Sequence, residues 1–205
     1  MTPSLIQDLG SQIGQTVTLA GWVANFRSSG SIFFLQLRDG SGFIQCIADK
    51  SAVSEEVWAD CQSLTMESSV KVTGTVAAHP KQPGVCELQL TNLVVVQIAA
   101  EYPISKKEHG PDFLLDHRHL WLRSKRQWAI QRVRDAVITA IYNFYHQRGF
   151  IKIDTPIITP NACEGATTLF ELEYFDQGMA YLSQSGQLYL EAAIMSVGRG
   201  FDFGP

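Results

Sequence analysis

The sequence predicts an all-β barrel in its first half, followed by a separate part built on a long helix. Three observations carry this. Five strand-like runs occupy residues 16–98, with one helical stretch between the third and the fourth. Residues 99–112 then hold Pro103, Gly110, Pro111 and several charges, the composition of a linker. Beyond them, residues 124–148 carry apolar side chains at helical spacing. The 205 residues are 45% hydrophobic and 18% charged, ordinary globular values, so disorder is not expected.

Residues 16–26 alternate, with Val17, Leu19, Gly21 and Val23 on one face. Ser28, Ser29 and Gly30 form a turn cluster, and 31–38 is a second strand rich in β-formers. Asp39-Gly40-Ser41-Gly42 is a hairpin signal leading to a third strand at 43–48. From Ser51 to Leu64 the period changes. Val53, Val57, Trp58, Cys61 and Leu64 recur at three- and four-residue spacing, and Ser54 followed by Glu55 and Glu56 marks a helix start. Residues 69–77 give the fourth strand and 85–98 the fifth. Pro80 and Pro83 keep the segment between them out of a ladder. Three strands, a helix and two strands are the order of the OB fold, which binds oligonucleotides across its second and third strands.

Alternation along the second strand bears on that surface. Phe33, Leu35 and Leu37 make the better core set, so Phe34 points out with Ile32 and Gln36. Gln45, between Ile44 and Cys46, also points out. An exposed Phe beside a Gln, with Arg27 nearby, suits stacking one base and reading the edge of another. The plainer reading is a surface Phe left by imperfect alternation.

In the second part Ser124 is a plausible N-cap. Trp128, Val133, Val137, Ile141 and Phe144 form the apolar stripe, widened by Ile130, Ala140 and Tyr145, and Gly149 stops the helix. Residues 150–160, FIKIDTPIITP, follow as extended chain whose prolines bar full pairing, and such an edge is usually covered, often by a partner subunit.

Charge is uneven. Residues 1–100 carry a net −3, 101–150 a net +4 and 151–205 a net −5, giving −4 overall. A net-acidic chain is not a bulk-electrostatic coat for nucleic acid, so any such binding is local. The basic stretch 106–126 reads either as a phosphate-facing hinge or as a solvated face. The first residues lack a basic region and an apolar core, so no secretory signal is expected. No apolar run is long enough for a membrane span. Cys46, Cys61, Cys86 and Cys163 are far apart and form no C-x-x-C pair, which predicts reduced thiols in a cytoplasmic protein and no zinc site.

Gly149-Phe150, Thr155-Pro156 and Pro160 resemble motif 1 of the class II aminoacyl-tRNA synthetases, the helix and strand that build a dimer interface. Behind an OB fold this resembles the aspartyl/asparaginyl/lysyl subgroup. Residues 161–170, NACEGATTLF, residues 181–193, YLSQSGQLYLEAA, and the linker stretch around 102–124 are similar to asparaginyl-tRNA synthetases in particular. The resemblance covers essentially the whole chain. It implies an OB-fold anticodon-binding domain at 1–100 and a hinge at 101–117. The remainder, 118–205, is then the N-terminal portion of an α+β catalytic domain, an antiparallel sheet with helices.

The resemblance also assigns residues. Phe34 matches the aromatic that stacks an anticodon base, Gln45 the residue that reads the central uridine, and Arg27 a nearby basic residue. Glu164 matches a glutamate on the mobile loop over the amino acid, where the substrate's ammonium wants an anion. Ser185 and Gln187 match side chains lining the amino-acid pocket. On sequence alone, Ser185-Gly186-Gln187 would be read as a turn. Gly149, Phe150, Pro156 and Pro160 match the dimer interface of a homodimer. Aspartyl enzymes carry a lysine where this chain has Leu190, which would leave a bound aspartate side chain unpaired and so favours asparagine. Glu191 stands beside it without an assigned role.

Phe201 to Pro205 resembles the phrase just before motif 2, so neither ATP-clamping arginine is in this sequence and Arg199 is not promoted to that role. The chain is therefore expected to be an N-terminal fragment, inactive alone and exposing apolar surface. The implied activity of the intact protein is asparagine–tRNA ligation with ATP and Mg2+, on L-asparagine and tRNA(Asn). No catalytic residue and no metal ligand is expected within this chain. The competing readings are an aspartyl-tRNA synthetase, a noncatalytic tRNA-binding protein and an amino-acid enzyme derived from a synthetase. Such derived enzymes tend to lack the barrel.

Overall fold

Alternating side chains set the first strand, and its length sets the architecture. β1 (Thr16–Ser29) is long enough to serve two partners in the computed structural model. Its first half pairs antiparallel with β4 (Ser69–Ala78), and its second half with β2 (Ile32–Arg38). A register shift between Val23 and Asn25 lies where the strand changes partner. β3 (Phe43–Asp49) pairs with β2, and β5 (Cys86–Gln97) with β4. A short parallel pairing between β3 and β5 closes the barrel in the order β1-β2-β3-β5-β4. The structure describes residues 3–105, 107–161 and 169–204. It divides into two units, residues 1–110 and 111–205.

The barrel core is the face that alternation marked. Leu19, Val23, Leu35, Leu37, Cys46 and Leu88 are all sealed from solvent. Between β3 and β4 lies α1 (Glu55–Ser63). Ser54 caps it, its hydroxyl accepting from the Val57 N–H at 3.2 Å, and Val57, Trp58 and Cys61 turn into the core. Burial pushes the Cys61 thiol up to about 11 and Cys46 further still, which keeps both protonated and unreactive. Two glycines allow the close strand crossings. A Cβ on Gly21 would strike the Arg38 carbonyl, and one on Gly74 the Gln89 carbonyl.

One end of the barrel is tied by polar groups. Both terminal nitrogens of the Arg38 guanidinium donate to the Glu67 carboxylate, at 2.8 and 2.9 Å, and both residues are buried. Glu67 holds a left-handed backbone (φ 68°), and its N–H donates to the Val23 carbonyl at 2.7 Å. Next to it the fully buried Ser68 hydroxyl accepts from the N–H of Ala99 at 3.1 Å. The Thr65 hydroxyl donates to the Ala99 carbonyl at 2.9 Å. The strand leaving the barrel is thus pinned at Ala99.

The second unit is built on α4 (Lys125–His146), capped by Ser124 and followed by Gly149 at φ 76°. Two short helices precede it, α2 (Pro111–Asp116) and α3 (Arg118–Trp121). Residues 111–116 lie in the stretch expected to be a hinge, but a proline is favourable in the first turn, where its missing N–H costs nothing. β6 (Ile151–Lys152) pairs parallel with β10 (Gly200–Phe201), not antiparallel as the sheet was expected to run. β7 (Ile158–Thr159), β9 (Met179–Leu182) and β8 (Glu171–Glu173) form an antiparallel sheet, and α5 (Gln187–Val197) leads into β10. The helix α4 packs on β10 through aromatics, with Tyr145 stacked on Phe201 at 4.6 Å and Tyr142 edge-on at 5.5 Å. No described helix is long and apolar enough to cross a membrane.

Candidate functional site

Two places bring the sequence-derived residues together, one in each unit. On the barrel, register lines up outward side chains across strands. Asn25 on β1 faces Gln36 on β2, Gln36 faces Gln45 on β3, and Gln45 faces Glu87 on β5. In the adjacent row Arg27 faces Phe34, Phe34 faces Ile47, and Ile47 faces Gln89. One row is therefore made of amides ending in a carboxylate, and the next of a cation, an aromatic and an aliphatic.

The details fit a surface that holds flat polar rings. Phe34 and Gln45 are half-buried, while their neighbours Phe33, Leu35, Ile44 and Cys46 are buried, as alternation required. The Arg27 guanidinium lies 3.9 Å from the Phe34 ring centroid, a cation–π contact. A base stacking on Phe34 would use the opposite ring face or displace Arg27. Glu87 is buried, and its carboxylate accepts from the Gln89 amide at 2.8 Å, which fixes the acid beside Gln45. The sequence reading placed Gln36 on the outward face but gave it no role, and it passed over Asn25 and Glu87. Only the parallel β3–β5 pairing, which no local pattern announces, brings Glu87 alongside.

In the second unit a shallow pocket of about 400 Å³ is lined by Ser185, Gln187, Leu190 and Asp202, among others. Gln187 is the first residue of α5, so the run read as a turn is a helix start. The Ser185 hydroxyl accepts from the Gln187 N–H at 3.1 Å, and the Ser183 hydroxyl donates to the Ser185 carbonyl at 2.9 Å. The Gln187 amide donates to Glu191 at 2.9 Å, which gives that carboxylate a partner within the chain. Leu190 places an aliphatic group on the lining. Glu164 lies outside the described residues. Arg199 is exposed and donates to the Arg148 carbonyl at 3.4 Å.

The segment 149–160 runs beside this pocket with little cover. Phe150 is half-buried, its ring 5.4 Å from Tyr145, whereas Gly149, Pro156 and Pro160 are exposed. On α4 every residue from 131 to 140 is exposed, Val133 to 62% and Val137 to 52%.

Comparison with known families joins the two places. Residues 110–205 match the family model of tRNA synthetases class II (D, K and N), and residues 17–96 that of the OB-fold nucleic acid binding domain. Among curated relatives the chain is 54% identical to an asparagine–tRNA ligase of Sorangium cellulosum, over 97% of this chain and 44% of that protein. The chain thus spans less than half the length of that relative. Among solved structures it resembles the asparaginyl-tRNA synthetase of Pyrococcus horikoshii complexed with asparaginyl-adenylate. That likeness has a TM-score of 0.89 and 38% identity, and covers 100% of this chain and 48% of the other. A putative aspartyl-tRNA synthetase of Leishmania major matches with a TM-score of 0.77 and 27% identity, over 96% of this chain and 41% of the other. The OB fold and the start of a class II catalytic fold that the sequence implied are therefore both matched in this chain.

Proposed function

We propose that the whole protein is an asparagine–tRNA ligase, and that this chain carries its anticodon-reading face and part of its amino-acid pocket. The observation that carries the reading is the pairing of a base-stacking barrel face with a pocket that offers neutral Ser185, Gln187 and Leu190 in one chain. The similarity to curated asparagine–tRNA ligases supports the choice of amino acid. In the reaction, the carboxylate of L-asparagine attacks the α-phosphate of ATP and releases pyrophosphate. The acyl group then passes from the adenylate to the 3′-hydroxyl at the end of tRNA(Asn). Mg2+ is the counter-ion for the phosphates, and none of the residues assigned here is given to it or to ATP.

Each residue has a stated part. Phe34 stacks an anticodon base, Gln45 reads the edge of the central uridine, and Arg27 neutralises backbone or clamps the stack. Ser185 and Gln187 hold the zwitterion by hydrogen bonds that add no net charge to the pocket. Glu164 supplies the anion that pairs with the substrate's ammonium. Leu190 leaves an aspartate side chain without a cation, so aspartate is disfavoured. Gly149, Phe150, Pro156 and Pro160, with the bare face of α4, form the contact to a second copy. The reading places the protein in the cytoplasm, where tRNA is charged.

Pyrophosphate exchange by the full-length protein tests it. Exchange should depend on asparagine and not on aspartate, and exchange with aspartate alone would replace the reading with an aspartyl enzyme. For the barrel, Phe34→Ala and Gln45→Ala should each weaken tRNA(Asn) binding by about 1–3 kcal/mol. Unchanged affinity in both would remove the anticodon role.

A further inference from the structure

The pocket rests on a contact that the sequence did not single out. Residues 151–157 form a spine. On one side the Ile151 and Ile153 N–H groups donate to the carbonyls of Arg199 and Phe201, both at 2.9 Å, and on the other the Ser183 N–H donates to the Ile157 carbonyl at 2.8 Å. Asp202, just past β10, is bonded back to this spine. The Thr155 hydroxyl donates to its Oδ2 at 2.6 Å, and the Lys152 ammonium approaches Oδ1 at 3.5 Å. Lys152 is held mainly by Asp154, at 2.6 Å, and that hydrogen bond pushes its pKa up, so it stays charged.

Gly186 sits directly on this pair. A Cβ there would collide with Asp202 Oδ2 and Thr155 Oγ1. Its φ is −79°, so backbone conformation does not demand glycine, and close approach does. Gly186 also precedes the first turn of α5, with no side-chain cap of its own, so the Asp202 carboxylate lies at the positive end of that helix. Ser185 and Gln187 flank the point of contact.

We infer that Asp202, clamped by Thr155, is a positioning residue that fixes the Ser185–Gly186–Gln187 segment and thereby the amino-acid pocket. The inference rests on the reading of that pocket given above. Asp202 reaches the substrate through Gly186 and its neighbours. Losing the clamp lets the start of α5 drift, and small displacements of a positioning group weaken binding disproportionately.

Pyrophosphate exchange by the full-length protein separates this from a merely structural role. Asp202→Ala and Thr155→Val should each raise the KM for asparagine about tenfold, the cost of a charge-assisted hydrogen bond, and leave the KM for ATP within about twofold. Asp202→Asn keeps an oxygen for the Thr155 hydroxyl and should restore most of the asparagine KM. The double variant Thr155→Val/Asp202→Ala should be no worse than the weaker single variant, because both remove one contact. A structural role alone would lower Tm and kcat while the asparagine KM stayed put, and that result overturns the inference. So would a parallel rise in both KM values. If Asp202→Ala fails to fold, the near-isosteric Thr155→Val decides. Wild-type protein that exchanges with asparagine while the variants keep its KM refutes the clamp alone, whereas wild-type protein that does not exchange refutes the ligase reading and the clamp with it.

Discussion

In the barrel an unbroken apolar cluster runs from Leu9 to Leu93, while in the second unit Thr159, Ala180 and Phe201 are the buried residues among those described. Both units were built from equally regular sequence patterns. The strands of the barrel alternate and the strand order closes on itself, so one apolar face per strand meets four others. The stripe on α4 is as periodic as any amphipathic helix, yet Val133, Val137 and Phe144 face solvent. Periodicity states which face is apolar and leaves open what covers it. A barrel answers that question within its own chain, and a lone helix on a two-stranded pair does not.

The contrast can be broken most sharply at the Arg38–Glu67 pair. Glu67→Ala leaves a buried guanidinium without its carboxylate and should cost the barrel about 3–5 kcal/mol, read by hydrogen exchange in β1 and β4. A cost under about 1 kcal/mol would mean that water reaches the pair. Matched truncations sharpen the comparison next. Leu37→Ala should cost about 2–5 kcal/mol in a denaturant melt of the 205-residue chain, and Val133→Ala only about 0.5 kcal/mol or less. Equal losses would erase the difference between the units. The smallest effect compares the two serine caps. Ser54→Ala should cost about 1 kcal/mol, whereas Ser124→Ala should cost less, since its hydroxyl stands 3.5 Å from the Gln127 N–H. A larger loss at Ser124 would mean that α4 carries more of the stability than its exposure suggests.

The same contrast explains what could be read from the sequence. Every barrel strand was legible, because alternation and turn residues such as Asp39-Gly40 act locally. The outward placement of Phe34 and Gln45 followed from the same alternation. The α5 helix was not legible, because Ser185-Gly186-Gln187 has turn composition and becomes a helix start only where Gly186 meets Thr155 and Asp202. Asp202, between Phe201 and Phe203, was not singled out in the sequence. Glu87 came beside Gln45 only through the β3–β5 pairing. The proposed amino-acid-binding residues Ser185 and Gln187 were reached through resemblance to a family, and no spacing rule would have found them.

That β3–β5 pairing has a consequence for synthesis. It is the seam of the barrel, it joins segments far apart in the chain, and the strand that supplies its second half is the last of the barrel strands to leave the ribosome. Pairings between distant segments form late, because the chain must first be brought together. Gln45 stands on one side of the seam and Glu87 on the other. A nascent chain that has emerged only as far as β4 presents Phe34 on an open sheet, and the row from Asn25 to Glu87 is assembled when β5 docks. On the proposed reading, the face that would take an anticodon is complete only once β5 has docked.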